Sequence, residues 1–302
     1  MNTPDQQPES NQAAVPRSPT SLRLSRRTLS RGAAGSAALI AITAAQGRAL
    51  GKSRRNQMIQ ATPVASTPTV VLVHGAFADG SSWSGVIEAL TADGVPVIAA
   101  ANPLRSLSAD AAYIASVASR VNGPVVLVGH SYGGAVITNA ALQAPNVIGL
   151  VYVAAFIPDD GETLLGLATQ ATDSLLGPAL RPGPFVAAPG GDPGNEFLID
   201  PASFQAVFCA DVPADLASVM AVTQRPTTEA AFGEPTANAA WKSLPSWALV
   251  ATADKAIGVT GSRLMAQRSG ATTVEVDGSH AVMVSQPAAV ADLIRTALAA
   301  SG

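Results

Sequence analysis

Cysteine is nearly absent. Cys209 is the single one in 302 residues, so no intrachain disulfide can form. Histidine is almost as scarce, with only His74, His130 and His280. A structural zinc site needs a clustered set of Cys and His ligands, and the chain has none to offer. No metal and no cofactor is expected. Charged residues make up 13% and aromatic residues 4% of the chain. Basic residues are scarcest beyond position 55: residues 1–55 hold 9 of the 18 Lys and Arg but only 2 of the 21 Asp and Glu. The remainder therefore carries a net charge of −10, from 9 basic and 19 acidic residues. Such a body has no means of neutralising phosphates, which excludes nucleic acid as a partner. It is equally unsuited to steering anionic substrates. Long apolar runs are missing too. The Ala-rich stretch from Gly32 to about Ala45 is shorter than the roughly 20 residues a spanning helix takes, so no stable membrane span is expected.

What is present is apolar mass. Hydrophobic residues reach 48%, enough for one sizeable α/β core with an insertion. Residues 1–55 stand apart as a leader. Ser25-Arg26-Arg27-Thr28-Leu29 directly precedes the Ala-rich stretch, the pattern of a twin-arginine export signal read by its own machinery. Export to the periplasm or the extracellular space is the expected localisation. Residues 56–68 read as a linker. The sequence carries no signal for an oligomeric state.

From Thr69 onward, short apolar runs alternate with amphipathic segments, which predicts a mostly parallel sheet covered by helices on both faces. Strands are predicted at Val70–Val73, Val95–Ala99, Val125–Val128, Ile148–Phe156, Trp247–Ala251 and Thr273–Val276. Helices are predicted at Ser82–Ala92, Ala109–Val121, Tyr132–Ala144, Val259–Arg268 and Pro287–Ala299. The alternation breaks at 158–243, a stretch richer in Pro and Gly that holds five of the seven phenylalanines. It reads as a helical lid inserted between two parts of the core, 69–157 and 244–302, over the sheet edge where open α/β sheets bind ligands.

The strongest chemical signal is Gly129-His130-Ser131-Tyr132-Gly133, a G-x-S-x-G run between a predicted strand and a predicted helix. A sharp turn there lifts the Ser131 hydroxyl above the sheet, and small neighbours keep the turn free of clashes. Serine needs a base to become a nucleophile. His130 points away across the turn, and His74 is better placed to brace the loop after the first strand. His280, directly after the last strand, is left as the base. The acid is expected between nucleophile and base, and Asp254, after the strand Trp247–Ala251, fits that order. Asp159, Asp160 and Asp277 are the rivals. Tyr132 and Ala76 are expected to supply the two oxyanion N–H groups, with Phe77 as the alternative to Ala76. Phe77, Phe156 and Met283 are candidates for the substrate pocket.

These motifs carry a resemblance. His74-Gly75-Ala76 with Trp83, Gly129-His130-Ser131-Tyr132-Gly133-Gly134, Thr252-Ala253-Asp254-Lys255, His280 with Met283, and the 211–226 stretch together resemble the α/β-hydrolase superfamily. Within it the chain looks like the hydroxynitrile lyase and plant methyl-esterase branch with its bacterial esterase relatives. The resemblance implies Asp254 as the acid and Ala76 and Tyr132 as oxyanion donors. Cyanohydrin lyases of that branch have threonine at the place of Gly75 and lysine at the place of Ala281, so their helpers are missing here. A serine carboxylesterase acting on small to medium hydrophobic esters is the expected function. Lactonase and cofactor-free perhydrolase chemistry need the same triad, and a non-catalytic receptor on the same scaffold is the alternative of a different class.

Overall fold

The computed structural model describes residues 67–301, apart from 187 and 192. The twin-arginine leader and nearly all of the 56–68 linker lie outside the described residues.

Six strands form one wholly parallel sheet in the order β2-β1-β3-β4-β8-β9. They are β1 (Thr69–Val73), β2 (Val97–Ala100), β3 (Val125–Ser131), β4 (Val147–Ala155), β8 (Ser246–Ala251) and β9 (Thr272–Val276). The predicted strands all lie in this sheet. Side chains alternate across it, so the four inner strands β1, β3, β4 and β8 feed two cores, while the edge strands β2 and β9 are largely exposed. Val71 and Val73 of β1, with Val125 and Leu127 of β3, pack on one face against α2 (Leu107–Ser119) and α3 (Tyr132–Ala140). Val70, Leu72, Val126 and Val128 pack on the other, against α1 (Ser84–Ala92) and α11 (Pro287–Ala300). Near-continuous Val and Leu runs are what a doubly covered strand requires. That is why this part of the fold could be read from the sequence.

The order of strands reverses at β1. The chain leaves β1 outward to β2 and returns on the other side as β3. At such a switch point the loops following the two strands diverge and open a crevice at their carboxyl ends. Here those loops are His74-Gly75-Ala76 and the turn at Ser131.

The insertion between β4 and β8 holds more than helices. Besides α4 (Leu164–Ala168), α5 (Leu176–Ala179), α6 (Pro201–Phe208), α7 (Ala214–Val222) and α8 (Glu229–Gly233), it contains a second, antiparallel sheet. Its strands are β5 (Leu180–Val186), β6 (Pro193–Ile199) and β7 (Thr227–Thr228), in that order. β5 contains Pro182 and Pro184, residues that argue against a strand in sequence. It is an edge strand, where a missing N–H costs little. The two ends of the insertion are fastened together: Trp241 Nε1 donates to the Pro158 carbonyl at 2.8 Å, and Lys242 pairs with Asp159 and, at 2.9 Å, with Asp160. Those two carboxylates thus serve the base of the lid.

Candidate active site

Ser131 ends β3 and precedes α3 with φ 53° and ψ −123°, a conformation that a residue with a Cβ seldom adopts. Strain of this kind costs about 1–3 kcal/mol and survives only where packing fixes it. All nine residues of α3 are buried. A Cβ on Gly129 would come within 2.5 Å of the Gly133 carbonyl oxygen, and one on Gly133 would run into the Val73 carbonyl oxygen. The turn is therefore closed to anything but glycine at both flanking positions. The Ser131 carbonyl accepts from Phe156 N–H at 3.1 Å, tying the turn to the end of β4.

His280 sits on the loop between β9 and α10 (Val282–Ser285). His280 Nδ1–H donates to Asp254 Oδ2 at 2.8 Å, with both side chains almost wholly buried. The other carboxylate oxygen of Asp254 accepts from Ala256 N–H at 2.7 Å and Ile257 N–H at 3.0 Å. Asp254 is thus locked on one side and presents the other to the imidazole, which fixes the tautomer and leaves Nε2 as the free ring nitrogen. The structure therefore joins Asp254 and His280. Between Ser131 Oγ and His280 there is no hydrogen bond among the described residues, a link that often tightens only with substrate. Asp277 is exposed, with only a 3.5 Å contact from Thr252 Oγ1, as befits a turn residue.

The other two histidines are structural supports. The His74 Nδ1–H donates to the Gly75 carbonyl at 2.9 Å, and Nε2 accepts from Asn102 N–H at 3.0 Å. Burial lowers its pKa to about 4, so it braces the loop as a neutral ring. His130 Nε2–H donates to the backbone carbonyl of His280 at 2.9 Å, and burial, seconded by repulsion from His280, pushes its pKa well below the usual value. His130, beside Ser131, therefore holds the main chain of His280. This bond joins residues 150 positions apart, and no local pattern announces it.

The Gly75 backbone lies against the serine turn, since a Cβ placed on it would be 2.6 Å from the Ser131 Cβ. That places the next residue, Ala76, close to the Ser131 turn. The N–H groups of Ala76 and Tyr132 have no acceptor among the described residues, which leaves both available to an anion. Phe77 has φ 62°, a strained value that bends the same loop. Tyr132 is pinned at its far end, where its hydroxyl donates at 2.8 Å to Asp110 Oδ2. Asp110 is fully buried and also accepts from Arg105 N–H at 3.1 Å. Burial raises its pKa, and the Tyr132 hydrogen bond works against that rise. The sequence reading passed over Asp110. Its signal was an acid on the apolar face of α2, one position before Ala111 and four before Ile114.

Two cavities flank the site. One of about 400 Å³ is lined by Phe77, Asp79, Ser82, Met220 and Val284 among others. The second, about 340 Å³, is lined by Phe156, Leu164, Leu176, Phe232 and Ala256 among others, with no charged side chain in its wall. The Phe77 and Phe232 rings meet between them, centroids 6.3 Å apart. Ser131 lines neither cavity and is 7% exposed. Phe77 and Phe156 thus each line a cavity as expected of pocket residues. Met283 does not: it is wholly buried in the core on the α1 and α11 face. The short helix α10 turns it away from the site and directs the next residue, Val284, to the first cavity.

Solved structures share this fold. Polyneuridine aldehyde esterase superposes with a TM-score of 0.65 at 20% identity, over 76% of this chain and 99% of that one. A pyrethroid hydrolase from Sphingobium faniae JZ-2 gives 0.62 at 22% identity, over 78% and 98%. Tomato methylketone synthase I, solved with 2-tridecanone, gives 0.65 at 18% identity, over 78% and 100%. Among curated proteins, a carbendazim-hydrolyzing esterase of Nocardioides sp. (strain SG-4G) is 52% identical over 48 residues, 16% of this chain and 20% of that one. This match spans only about one fifth of that relative's length. Residues 70–293 match the alpha/beta hydrolase family, which takes in every strand of the main sheet beyond Thr69 and all the site residues named above, and the chain belongs to that family.

Proposed function

We propose that the protein is a serine hydrolase of carboxylic esters, with Ser131 as nucleophile, His280 as general base and Asp254 as its orienting acid. The observation that carries this reading is the buried 2.8 Å bond from His280 to Asp254, set beside a serine held at positive φ on a strand-to-helix turn. In this mechanism His280 Nε2 takes the Ser131 hydroxyl proton as Oγ attacks the ester carbonyl. The oxyanion is met by the Ala76 and Tyr132 N–H groups. The protonated imidazole then gives its proton to the departing alcohol, and water, activated by the same base, releases the acid from the acyl-enzyme. Asp254 remains ionised and stabilises the imidazolium.

The two cavities supply room for the substituents on either side of such a carbonyl, and the uncharged, largely apolar wall of the second favours a hydrophobic group there. Esterase names among the relatives point the same way. The twin-arginine leader makes this an exported enzyme. The deciding experiment is hydrolysis of short- and medium-chain p-nitrophenyl esters by the protein and by Ser131→Ala. Turnover that disappears in the variant supports the proposal. Turnover that persists in it, or an inactive but folded parent protein, refutes it.

A further inference from the structure

The loop that carries His280 is held by the lid as well as by the sheet. Three successive residues of that loop, Ser279, His280 and Ala281, are each anchored from outside it. Ser279 N–H donates to Asp211 Oδ2 at 3.0 Å, and the Ser279 hydroxyl donates to Asp211 Oδ1. The His280 carbonyl accepts from His130 Nε2–H at 2.9 Å. Ala281 N–H donates to the Phe208 carbonyl at 2.9 Å. Phe208 ends α6 and Asp211 follows three residues later, so two of the three anchors come from the insertion.

The imidazole itself is packed in the same way. Its ring centroid lies 4.9 Å from that of Phe208, edge to face at 76°, and 4.7 Å from that of His130. Asp254 fixes one nitrogen of the base, but a single hydrogen bond leaves the ring free to pivot about it. The Phe208 and His130 rings remove that pivot, and the position of the loop decides whether they can. Asp211 accepts both polar hydrogens that Ser279 offers, the arrangement that most restricts a two-residue approach to the base. Burial opposes the charge on Asp211, yet the hydrogen bonds to its carboxylate, foremost among them that of the Ser279 hydroxyl, together outweigh it and hold the carboxyl below its ordinary pKa. An ionised acceptor gives the stronger kind of hydrogen bond.

We infer that Asp211 is a positioning residue for catalysis: acting through Ser279, it fastens the Phe208–Asp211 segment of the lid to the base loop and sets the His280 ring in its working orientation. This rests on the reading of His280 as the general base. The lid is then part of the catalytic machinery at this one edge, and any movement that admits substrate must occur elsewhere in the insertion. Asp211 touches no reacting atom in this scheme, so its loss should slow the chemical step while leaving substrate binding largely unchanged.

The test uses the full chain as wild type, Asp211→Ala, Ser279→Ala and the double variant, with p-nitrophenyl acetate as substrate. Active sites are counted in each preparation by stoichiometric p-nitrophenol release from a p-nitrophenyl phosphate triester, so that unfolded protein does not enter kcat. For Asp211→Ala, kcat per titrated site should fall about 10- to 100-fold with KM changed less than about threefold, since a base displaced from its working orientation by up to about 1 Å costs up to on the order of 100-fold in the chemical step. Ser279→Ala should move kcat in the same direction, and the double variant should be no worse than Asp211→Ala alone, because one pathway can be cut only once. An Asp211→Ala kcat within about threefold of wild type, or fully multiplicative effects in the double variant, overturns the inference. Should Asp211→Ala fail to accumulate, Ser279→Ala decides alone: an unchanged kcat overturns the tether, and a drop of about three- to tenfold at constant KM supports it. An active, Ser131-dependent wild type with an indifferent Asp211→Ala would remove only the tether. A wild type without Ser131-dependent turnover would remove the proposed function with it.

Discussion

Gly75 is the position at which the structure most sharply limits what the site can become. A Cβ added there would stand 2.6 Å from the Ser131 Cβ, 2.9 Å from His130 Nδ1 and 3.0 Å from the His130 carbonyl oxygen. Ordinary contact begins at 3.4 Å, so the first of these requires a displacement of about 0.8 Å. Ser131 cannot supply it, being fixed at positive φ between β3 and a fully buried helix. The loop from His74 to Phe77 must move instead, carrying the Ala76 N–H away from the oxyanion. A misplacement of about 1 Å costs on the order of 100-fold in rate, and complete loss of one such donor about 100- to 1,000-fold. Gly75→Ala should therefore lower kcat for p-nitrophenyl acetate by about 100-fold, with a smaller change in KM. Gly75→Thr, which restores the residue found at this place in cyanohydrin lyases, should do at least as much damage and confer no lyase activity. The assay is steady-state kinetics per titrated site, with thermal unfolding of the same samples. A Gly75→Ala protein with kcat within about threefold of wild type would show that the loop has room to spare, and the placement of the oxyanion donor at Ala76 would fall with it.

Asp254→Asn leaves the shape of the acid but favours the wrong imidazole tautomer. It should reduce kcat by about 10,000-fold while unfolding like wild type, and a loss smaller than about tenfold would reassign the acid. Leu165 lines the second cavity from a half-exposed position, so Leu165→Trp should fill part of its 340 Å³ without disturbing the core. Acetate turnover should hold, while kcat/KM for a bulky aryl ester falls about tenfold, and equal effects on both would disconnect this cavity from the substrate. His74 has a folded pKa of about 4 against 6.5 in the unfolded chain, so the unfolded state binds more protons between these values. Its contribution to stability is thus complete above pH 6.5 and is lost as pH falls toward 4, about 3 kcal/mol in all. Urea midpoints measured from pH 7 to pH 4.5 should show that slope added to the one from buried His130, and His74→Gln should reduce it without abolishing it. An unchanged slope in the variant would show that His74 is not what the acid limb reports.

The parts of this protein that could be read from its sequence are those in which one residue type answers one local physical demand. Strands buried on both faces demand unbroken Val and Leu, and the runs at Val70–Val73 and Val125–Val128 show it. A strand-to-helix turn with a residue at φ 53° demands small flanking residues, and Gly129 and Gly133 show that as well. With only three histidines, the partner of Asp254 could be reached by elimination. What escaped was held by tertiary contact. β5 is a strand in spite of Pro182 and Pro184 because it pairs on one side only. Met283 is a pocket candidate in the sequence, but in the fold it is wholly buried in the core while Val284 lines the first cavity. The supports of the site, His130 to the His280 carbonyl, Asp110 to Tyr132 and Asp211 to Ser279, span 150, 22 and 68 residues. Each is a polar side chain answering a polar group far off in the chain, and periodicity carries no trace of such pairs. The chemistry of this site follows from a short motif, whereas its precision depends on residues that only the folded chain brings to it.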